Sequence, residues 1–364
     1  MDAVDKEVVK NITAHAQKIY DAIKKGKKPV ITSPVRALSN VSYNVKDGFF
    51  DLQGNMKTRT LTASTVKGFA QTMLLMNEAK KVVEADDIMT KREAYYVSKN
   101  WGEAKFGEQP ESDGVMDDIE AMMRVLREEL GFIPEEDGGA VAGNLVIIDR
   151  DPDSGKDVKI DCTKFASGAY SIPSNVEHFT FETKAKFILA VETAGMFQRL
   201  SKHKYYKKAN CILVSLKGVP SRATRRFIKR LSTDKDLPVY VFTDGDPYGY
   251  GSIYRTLKVG SGNAAHVNEY FCVPHAKFIG ITPADIAEYK LPSHPLKEVD
   301  VKKIKDLVKN DPFIKAHKQW QKALTEMAKM KVRCEQQSLA AWGLNFVITD
   351  YLPEKMKDPK TWLP

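Results

Sequence analysis

Four short apolar runs in the second half of the chain constrain its fold more than any other feature. Segments with helical spacing separate these runs. Strands buried on both faces are typically continuous apolar runs, and strands that alternate with helices form mostly parallel sheets with helices on both faces. The sequence therefore predicts an α/β domain with a mostly parallel sheet at residues 183–364, ending in a helical, lysine-rich extension. The runs are KFILAVE (186–192), CILVSL (211–216), PVYVFTDGD (238–246) and KFIGIT (277–282).

Three carboxylates follow two of these runs. Glu192 ends the first run, and Asp244 and Asp246 come directly after the third. The carboxyl ends of parallel strands lie at one edge of the sheet, where ligands bind. Carboxylates so close together would repel one another, and a hard divalent cation such as Mg²⁺ removes that penalty. We therefore predict a Mg²⁺ site formed by Glu192, Asp244 and Asp246.

Two other interpretations of these acids stay open. Acids at strand ends are often only solvated side chains at the start of a loop. The pattern Asp-x-Asp also occurs in aspartyl-phosphate phosphatases, where it follows the first strand and its first Asp is the nucleophile. Here the pattern follows the third run and comes after a glutamate at a strand end, and this order argues against a phosphatase.

The first half of the chain is predicted to contain several helices and an extended, loop-rich stretch at 28–62. Apolar residues at helical spacing predict helices at 4–24 and 66–83, and a later helix from near Ser112 to Gly131. A hairpin is then predicted on either side of the turn at 151–156. A helix–turn–helix pair, a further helix and a hairpin occur in this order in winged-helix domains.

The pattern predicts three segments before the α/β domain. These are a helical and extended segment at 1–65, a winged-helix DNA-binding domain at 66–165 and a linker at 166–182. The linker is predicted because its residues have no clear periodicity and include Ser, Pro and Gly. Many helix–turn–helix arrangements have only a structural role, so DNA contact does not follow from this order alone.

The segment KREAYYVSKNW (91–101) places two adjacent tyrosines among basic residues. Thr90 can accept a hydrogen bond from the amide of Glu93, and Glu93 can reach back to the amide of Thr90. This capping box predicts that a helix begins here and continues through both tyrosines. The pair is then either an aromatic patch on a basic helix or the site of a reaction on an anion.

Helical geometry gives the two tyrosines different roles. Arg92, Tyr96 and Lys99 lie at i, i+4 and i+7 and share one face, whereas Tyr95 is directed elsewhere and is expected to pack inward. A phenol is only about 0.1% ionised at neutral pH, so it needs help to act as a nucleophile. Arg92 could stabilise negative charge at a phosphorus centre, and the resulting phosphotyrosyl ester would conserve the bond energy for rejoining. We predict that Tyr96 and Arg92 are catalytic and that Lys99 contacts DNA.

Net charge favours an anionic partner. The chain carries a net charge of +9 with a pI near 9.1, which is typical of nucleic-acid-binding proteins, although a merely soluble basic surface is the alternative. The segment at 221–231 aligns cations along one helical face. We predict that Arg222 and Arg225 contact the phosphates of double-stranded DNA. The other interpretation is a solvated face of a helix that packs on the sheet.

Several other classes of protein are disfavoured. The chain has no G-x-x-x-x-G-K-[ST] motif, so it has no P-loop for ATP. Its four cysteines have no metal-ligand spacing and are interpreted as reduced thiols. It has no signal-peptide pattern, and no apolar stretch approaches the roughly 20 residues that span a bilayer. We expect a cytoplasmic, nucleoid-associated protein without a membrane partner.

The motifs resemble those of a known family. The segment TKREAYYVSKNW (90–101) is similar to the catalytic motif of the A subunit of DNA topoisomerase VI, a type IIB topoisomerase, and of its relative, the meiotic double-strand-break transesterase. The segment at 331–355 resembles the archaeal subunits in particular, and the resemblance extends from about residue 30 to residue 356. The Toprim motifs of the family resemble FILAVET (187–193), LKGVPSRATRRFIKRL (216–231) and FTDGDPYG (242–249).

The resemblance implies both a fold and an activity. It implies a winged-helix domain followed by a Toprim domain, in which Glu192, Asp244 and Asp246 correspond to the acids that bind Mg²⁺. It implies that Tyr96 attacks DNA and forms a 5′-phosphotyrosyl link in a transient double-strand break. Strand passage through the break, driven by ATP, then relaxes supercoils.

The resemblance also implies partners. In this family two A subunits form a homodimer, and the tyrosine of one works with the acidic site of the other. Two B subunits supply a GHKL-type ATPase in an A₂B₂ heterotetramer, so ATP is bound by the partner rather than by this chain. Two alternatives stay open: a transesterase that does not reseal the break, and a non-catalytic winged-helix DNA-binding protein, which would leave the acidic residues unexplained.

Overall fold

The computed structural model describes residues 3–134, 138–151, 154–165 and 168–364. The described residues form two units, and neither unit is one continuous stretch of chain. The first unit draws its residues from 1–42, 51–136 and 262–267, and the second draws them from 43–50, 137–261 and 268–364. Outside the described residues lie 135–137 and 152–153 of the predicted winged helix and 166–167 of the predicted linker.

The chain before residue 135 carries α-helices and short strands. Its helices are α1 Ala3–Lys24, α2 Val66–Glu84, α3 Lys91–Val97 and α4 Gln109–Met123. Its strands are β1 Val30–Pro34, β2 Val41–Tyr43, β3 Phe50–Leu52, β4 Met56–Thr60, β5 Met89–Thr90 and β6 Phe132–Ile133. β1 pairs antiparallel with β4, and β5 pairs in parallel with β6.

The core of the first unit lies between α1, α2 and α4. Leu75 and Ala79 of α2 and Met116 and Ile119 of α4 are fully buried there, and Ile12 of α1 is 3% exposed. The buried residues of α2 and α4 recur at helical spacing. The structure confirms the helices predicted at 4–24 and 66–83, which are α1 and α2.

The predicted third helix is shorter than the sequence suggests. α4 begins at Gln109, and Pro110 lies in its first turn, a position that proline favours. It ends at Met123 because Arg124 adopts a left-handed conformation with φ of 55°. Gly131 therefore follows a non-helical segment and does not end the helix.

A short downstream segment completes the first unit. Residues 262–267 pack with α4, although the chain on both sides of them belongs to the second unit. The carbonyl of Asn263 accepts a hydrogen bond of 3.2 Å from Arg36. His266 Nε2 lies 2.9 Å from a carboxylate oxygen of Glu120, and both side chains are buried.

The second unit is built on strands that alternate with helices. Its strands are β7 Ala140–Gly143, β8 Leu145–Arg150, β9 Asp157–Asp161, β10 Tyr170–Ser171, β11 Thr180–Thr183, β12 Phe187–Val191, β13 Cys211–Ser215, β14 Val239–Phe242, β15 Lys277–Gly280, β16 His294–Pro295 and β17 Val332–Arg333. Its helices are α5 Ala194–Lys202, α6 Tyr205–Lys208, α7 Arg222–Asp234, α8 Arg255–Lys258, α9 Asn268–Phe271, α10 Pro283–Glu288, α11 Glu298–Asn310, α12 Pro312–Ala316, α13 Lys318–Met330 and α14 Leu352–Lys357.

The main sheet of the second unit is mixed. Its strand order is β10-β7-β13-β12-β14-β15. The four predicted runs form β13, β12, β14 and β15, which pair in parallel, and β12 and β13 are buried at every position. β7 and β10 add antiparallel pairs at one edge. The parallel core is therefore present, but the prediction of a mostly parallel sheet is not confirmed for the sheet as a whole.

Gly143 explains why the antiparallel edge was not predicted. Residues 140–150 form one apolar pattern in the sequence, but Gly143 has φ of 126°, and a Cβ there would lie 2.7 Å from the carbonyl oxygen of Cys211. The chain changes direction at this glycine. β7 joins the main sheet, whereas β8 pairs with β9 and β11 in a three-stranded sheet.

This change of direction bears on the predicted winged helix. The predicted hairpin exists, since β8 pairs antiparallel with β9 from Val146 opposite Asp161 to Arg150 opposite Asp157. Its residues belong to the second unit rather than to the helical first unit. A winged-helix domain is therefore not confirmed.

Five described residues of the predicted linker at 166–182 lie in strands. β10 pairs with β7, and the first residues of β11 pair with β8. Strands this short give too few residues for a period of two to appear in the sequence. Among the described residues, no helix is both long and apolar enough to cross a membrane.

Candidate active site

The paired tyrosines lie on a short helix that is capped as predicted. The amide of Thr90 donates to Glu93 Oε2 at 2.7 Å, and the amide of Glu93 donates to Thr90 Oγ1 at 3.1 Å. An isolated helix of this length would be unstable. The capping box therefore fixes where α3 begins and, with it, the direction of each tyrosine.

Tyr96 is the exposed member of the pair. Its residue is 56% exposed, and the guanidinium carbon of Arg92 lies 5.9 Å from the centroid of its ring. That distance is within the range of a cation–π contact. The structure thus places Arg92 beside Tyr96, as the helical spacing predicts, and leaves the phenol accessible.

Tyr95 is anchored to the unit. Its hydroxyl donates to the carbonyl oxygen of Gly107 at 3.1 Å, and its ring packs against the core of the first unit. Its ring centroid lies 5.3 Å from that of Tyr96 in an edge-to-face arrangement. Tyr95 therefore supports the neighbouring ring and is less exposed than Tyr96.

Lys99 does not share the face of Tyr96. Its Nζ lies 3.9 Å from the centroid of the Tyr95 ring and donates to the carbonyl oxygen of Phe106 at 2.7 Å. The predicted i, i+4, i+7 face fails because α3 ends at Val97 and residues 98–100 form a 3₁₀ turn with a different rotation per residue. Lys99 is still exposed, so a DNA contact stays a prediction.

The predicted acids meet at the carboxyl ends of two adjacent strands. β12 and β14 pair in parallel, with Val191 opposite Phe242. Glu192 Oε2 accepts a hydrogen bond of 2.8 Å from the amide of Asp244. Asp246 Oδ1 accepts from the backbone amides at 248 and 249, at 2.9 and 2.6 Å. Parallel register thus brings together residues that lie far apart in the sequence.

Burial opposes ionisation of this acidic cluster, which we define as Glu192, Asp244 and Asp246. Burial raises the pKa of Glu192 to about 8, and the two neighbouring carboxylates add to the rise. Burial also raises the pKa of Asp244 to about 6, against a hydrogen bond from the amide of Gln336. The pKa of Asp246 is raised as well, chiefly by burial. A cation bound at the cluster would favour the ionised form of all three carboxyl groups and so lower their pKa values.

The carboxylates of the acidic cluster are of the ligand type that Mg²⁺ prefers. As they are placed among the described residues, no three His, Cys, Asp or Glu side chains form a group that could hold a metal ion. One oxygen of each clustered carboxylate accepts backbone hydrogen bonds, and its second oxygen accepts none from any described residue. Mg²⁺ takes oxygen ligands and keeps several waters, so a few available carboxylate oxygens suffice.

Gln336 joins the two strand ends, which no pattern in the sequence predicts. Its side chain is fully buried, with Nε2 donating to the carbonyl of Phe242 at 3.0 Å and Oε1 accepting from Thr193 Oγ1 at 2.9 Å. Its backbone amide donates to Asp244 Oδ1 at 2.8 Å. Gln336 therefore contacts the residue after Glu192, the residue at the end of β14 and an acid of the cluster.

Arg333 supplies positive charge near the acidic cluster. It lowers the pKa values of Asp244 and Asp246, in opposition to the larger effect of burial. Its Nε lies 3.7 Å from Asp300 Oδ2, which is an ion pair but too long for a hydrogen bond. The only signal for Arg333 and Gln336 in the sequence is that they lie in the family-like segment 331–355.

The predicted DNA contacts on α7 are partly enclosed. Arg225 is only 7% exposed, and Arg222 is half-buried. Their guanidinium carbons lie 5.5 Å (Arg222) and 5.4 Å (Arg225) from the ring centroid of Phe271. Both contacts with DNA stay predictions, and Arg222 is the more accessible residue.

Other basic residues of α7 form hydrogen bonds with the segment 176–179. Arg226 donates to both carboxylate oxygens of Glu177, at 2.6 and 2.8 Å. Arg230 donates to carbonyl oxygens of the segment 176–179. The row of cations that appears in the sequence is therefore largely engaged within the second unit.

The structure assembles two groups of predicted residues. Arg92 and Tyr96 are together in the first unit, and Glu192, Asp244 and Asp246 are together in the second. A phenol beside a guanidinium can attack a phosphodiester, and a Mg²⁺-binding carboxylate cluster can stabilise charge on phosphate oxygens.

Known families match most of the chain. Residues 187–356 match the family described as the Toprim domain of the topoisomerase 6 A subunit and Spo11. Residues 67–132 match the family described as type IIB DNA topoisomerase, and residues 135–185 match the family described as the all-beta domain in the DNA topoisomerase VI alpha subunit. Residues 135–185 span the end of the predicted winged helix and the predicted linker.

Curated relatives are similar over nearly their whole length. The A subunit of type 2 DNA topoisomerase 6 from Methanocaldococcus jannaschii is 57% identical over 349 residues, which cover 96% of this chain and 94% of the relative. Proteins of the same description from Methanothermobacter thermautotrophicus and Archaeoglobus fulgidus are 38% and 36% identical, over 93% and 98% of this chain and 94% and 99% of theirs.

Proposed function

The chain belongs to the A-subunit family of type IIB DNA topoisomerases, the topoisomerase VI family, and on that premise we propose which of its residues cut and rejoin DNA. It is the DNA-cleaving subunit of a type II DNA topoisomerase, which is an isomerase. The observation that carries the assignment of the nucleophile is the exposed phenol of Tyr96, with the Arg92 guanidinium 5.9 Å from its ring.

Tyr96 is the nucleophile in this proposal. Its Oη attacks a backbone phosphorus, and a new O–P bond forms as the bond from phosphorus to the 3′-oxygen breaks. The phenol loses its proton and the leaving 3′-oxygen gains one, so the products are a 5′-phosphotyrosyl ester and a 3′-hydroxyl. Arg92 stabilises the negative charge that develops at phosphorus and on the phenol. The reverse attack by the 3′-hydroxyl rejoins the strand without an external energy source.

Glu192, Asp244 and Asp246 hold the metal in this proposal. A bound Mg²⁺ supplies charge stabilisation at phosphate oxygens during cleavage and rejoining. The role of the three carboxylates is to present oxygens from two strand ends. The backbone amides of residues 336, 248 and 249 fix the orientation of Asp244 and Asp246, and the amide of Asp244 does the same for Glu192.

The partners follow from the same proposal. The protein acts on double-stranded DNA as a homodimer, in which the tyrosine of one copy works with the acidic cluster of the other. A GHKL-type ATPase B subunit binds ATP in an A₂B₂ assembly, which works in the cytoplasm at the nucleoid. Lys99, Arg222 and Arg225 are proposed DNA contacts, and the helices of the first unit are the proposed helix–turn–helix.

Covalent trapping tests the nucleophile. With the B subunit, Mg²⁺ and ATP, the protein should relax supercoiled DNA and form a protein–DNA adduct whose modified residue maps to Tyr96. Tyr96→Phe should abolish both activities because it removes only the attacking oxygen. Tyr95→Phe is the matched control and should retain the adduct, since it loses one hydrogen bond but keeps its packed ring. An adduct with Tyr96→Phe and none with Tyr95→Phe would reverse the assignment.

Substitution of the acidic residues tests the proposed Mg²⁺ site. Glu192→Gln and Asp244→Asn should each suppress cleavage, because each replaces an anionic ligand with a neutral amide of the same shape. Cleavage that continues undiminished in excess chelator would rule out the Mg²⁺ site.

A further inference from the structure

A basic groove on the second unit has no role in the function proposed so far. It encloses about 1100 Å³. No Asp or Glu is among the described residues that line it. Its basic side chains are Lys164, Arg199, Lys202, His203, Lys204 and Lys217.

Small residues also line the basic groove. Ala140 and Ala142 of β7 and Ser171 of β10 contribute to it, together with Ala194 and Gly195 at the start of α5. Short side chains leave the volume open to a bulky ligand, while the long side chains of the lysines can reach that ligand from the sides.

Three of the lysines are available to an anion. Lys202, Lys204 and Lys217 are exposed, and among the described residues none of them has a carboxylate within ion-pair distance. Lys164 differs, because it pairs with Asp161 at 3.2 Å. These lysines also differ from the arginines at 226 and 230 of α7, whose guanidinium groups bind a carboxylate and backbone carbonyls.

The basic groove begins close to the acidic cluster. Ala194 lines the groove two residues after Glu192 in the sequence. Lys217 also lines it, and the amide of the next residue, Gly218, donates to the carbonyl of Glu192 at 3.1 Å. A ligand in the groove would therefore lie next to the residues that we propose hold the metal.

We propose that the basic groove binds the phosphodiester backbone of duplex DNA beside the acidic cluster. The inference rests on the proposed function, since DNA is the substrate there. A lining with many cations and no carboxylate selects a polyanion, and lysines that contact phosphates bind without regard to base sequence. The bound backbone belongs to the duplex that is cut, because the groove begins beside the residues that we propose hold the metal.

Binding measurements test the basic groove without cleavage. The full protein carrying Tyr96→Phe, in complex with the B subunit, is compared with and without Lys202→Gln plus Lys204→Gln. The matched control is Lys305→Gln plus Lys309→Gln, two exposed lysines on α11 that give the same change in net charge. Loss of two phosphate contacts should reduce the magnitude of the slope of log K against log salt by about 1.8. Relative to 1 M salt, this corresponds to about sixtyfold weaker binding at 0.1 M salt, while the control changes little. Equal losses of DNA binding in the groove double variant and in the control double variant would overturn the proposal.

The same substitutions with Tyr96 intact distinguish the duplex that is cut from a second duplex. If Lys202→Gln plus Lys204→Gln lowers the adduct yield on linear duplex DNA, the groove holds the duplex that is cut. If the adduct yield is unchanged and supercoil relaxation falls, the groove holds a second duplex, which would contradict the proposal. Absence of an adduct in the unsubstituted protein would refute the proposed function instead, and the binding comparison would still test the groove.

Discussion

The environment of Glu192 strongly opposes the negative charge of its side chain. It is largely buried, and it lies beside Asp244 and Asp246. The folded protein therefore binds a proton at Glu192 more tightly than the unfolded chain does. Its contribution to stability is present below the ordinary pKa of 4.5 and is lost as pH rises through about 8.

Glu192→Gln should remove this loss of folding stability at high pH. In the absence of metal we expect it to raise the free energy of unfolding at pH 9 by roughly 2 kcal/mol, and to change stability little at pH 4, where the carboxyl is already neutral. Denaturant unfolding in chelator measures both values. Added Mg²⁺ should cancel the advantage at pH 9, because a bound cation stabilises the carboxylate of the unsubstituted protein. Equal stability of the two proteins at pH 9 without metal would contradict the raised pKa.

Gln336→Leu tests the link between the two strand ends. Loss of the contacts to Phe242 and Thr193 should cost about 1–3 kcal/mol, because two buried polar groups lose their partner. The Mg²⁺ concentration that half-saturates cleavage should also rise, since the side chain no longer joins the strand ends next to Asp244 and Glu192.

The neighbouring Gln337 provides a matched control, because it is exposed. Gln337→Leu should alter neither quantity. If Gln336→Leu destabilises the protein but leaves the Mg²⁺ requirement unchanged, its role is structural only.

The candidate site was only partly predictable at the residue scale. Glu192 and Asp244 could be found because each comes directly after an apolar run, and parallel strands end at one edge. Gln336 lies 92 residues beyond Asp244, and nothing in its local pattern indicates where its side chain is placed. Contacts made only by tertiary packing have no signature in periodicity.

At the scale of elements, α3 depends on its cap. The helix has only seven residues, so its stability comes from its ends and from packing. Thr90→Ala should cost about 1 kcal/mol of unfolding free energy and should lower the adduct yield, because the start of α3 fixes the direction of Tyr96.

The control for this cap is Thr13→Ala, an exposed threonine within α1. Thermal unfolding and adduct yield should both change little with that substitution. Equal adduct yields for Thr90→Ala and the unsubstituted protein would show that packing alone orients the tyrosine.

Elements were predicted well where their pattern is local and long. The runs of β12, β13, β14 and β15 could be identified because a buried strand is apolar at every position. β7 and β8 could not be separated, because only the conformation of Gly143 divides one apolar pattern between two sheets. The face of α3 was mispredicted at Lys99 because the helix ends before that residue.

At the scale of the whole molecule, the proposed homodimer has composite sites. A mixed dimer of one Tyr96→Phe protomer with one Glu192→Gln protomer, purified through two different tags, should nick DNA. One composite site then combines an intact tyrosine with an intact acidic cluster, while the other lacks both. Agarose gels that resolve nicked from linear DNA measure the outcome.

Each parent homodimer serves as a control and should cut neither strand. If tyrosine and acids of the same protomer worked together, both sites of the mixed dimer would be defective. Intact DNA from the mixed dimer would therefore contradict the exchange of residues between protomers.

The interleaved course of the chain has a consequence for its synthesis. Domains generally fold as they emerge from the ribosome, the first before the second. Here Glu120 is buried against His266, and Arg36 binds the carbonyl of Asn263. A nascent chain that has reached residue 134 cannot complete its first unit, because residues 262–267 have not yet been translated. The helices that carry Tyr96 must wait for most of the polypeptide, so the nucleophile is secured only after the acidic cluster has been made.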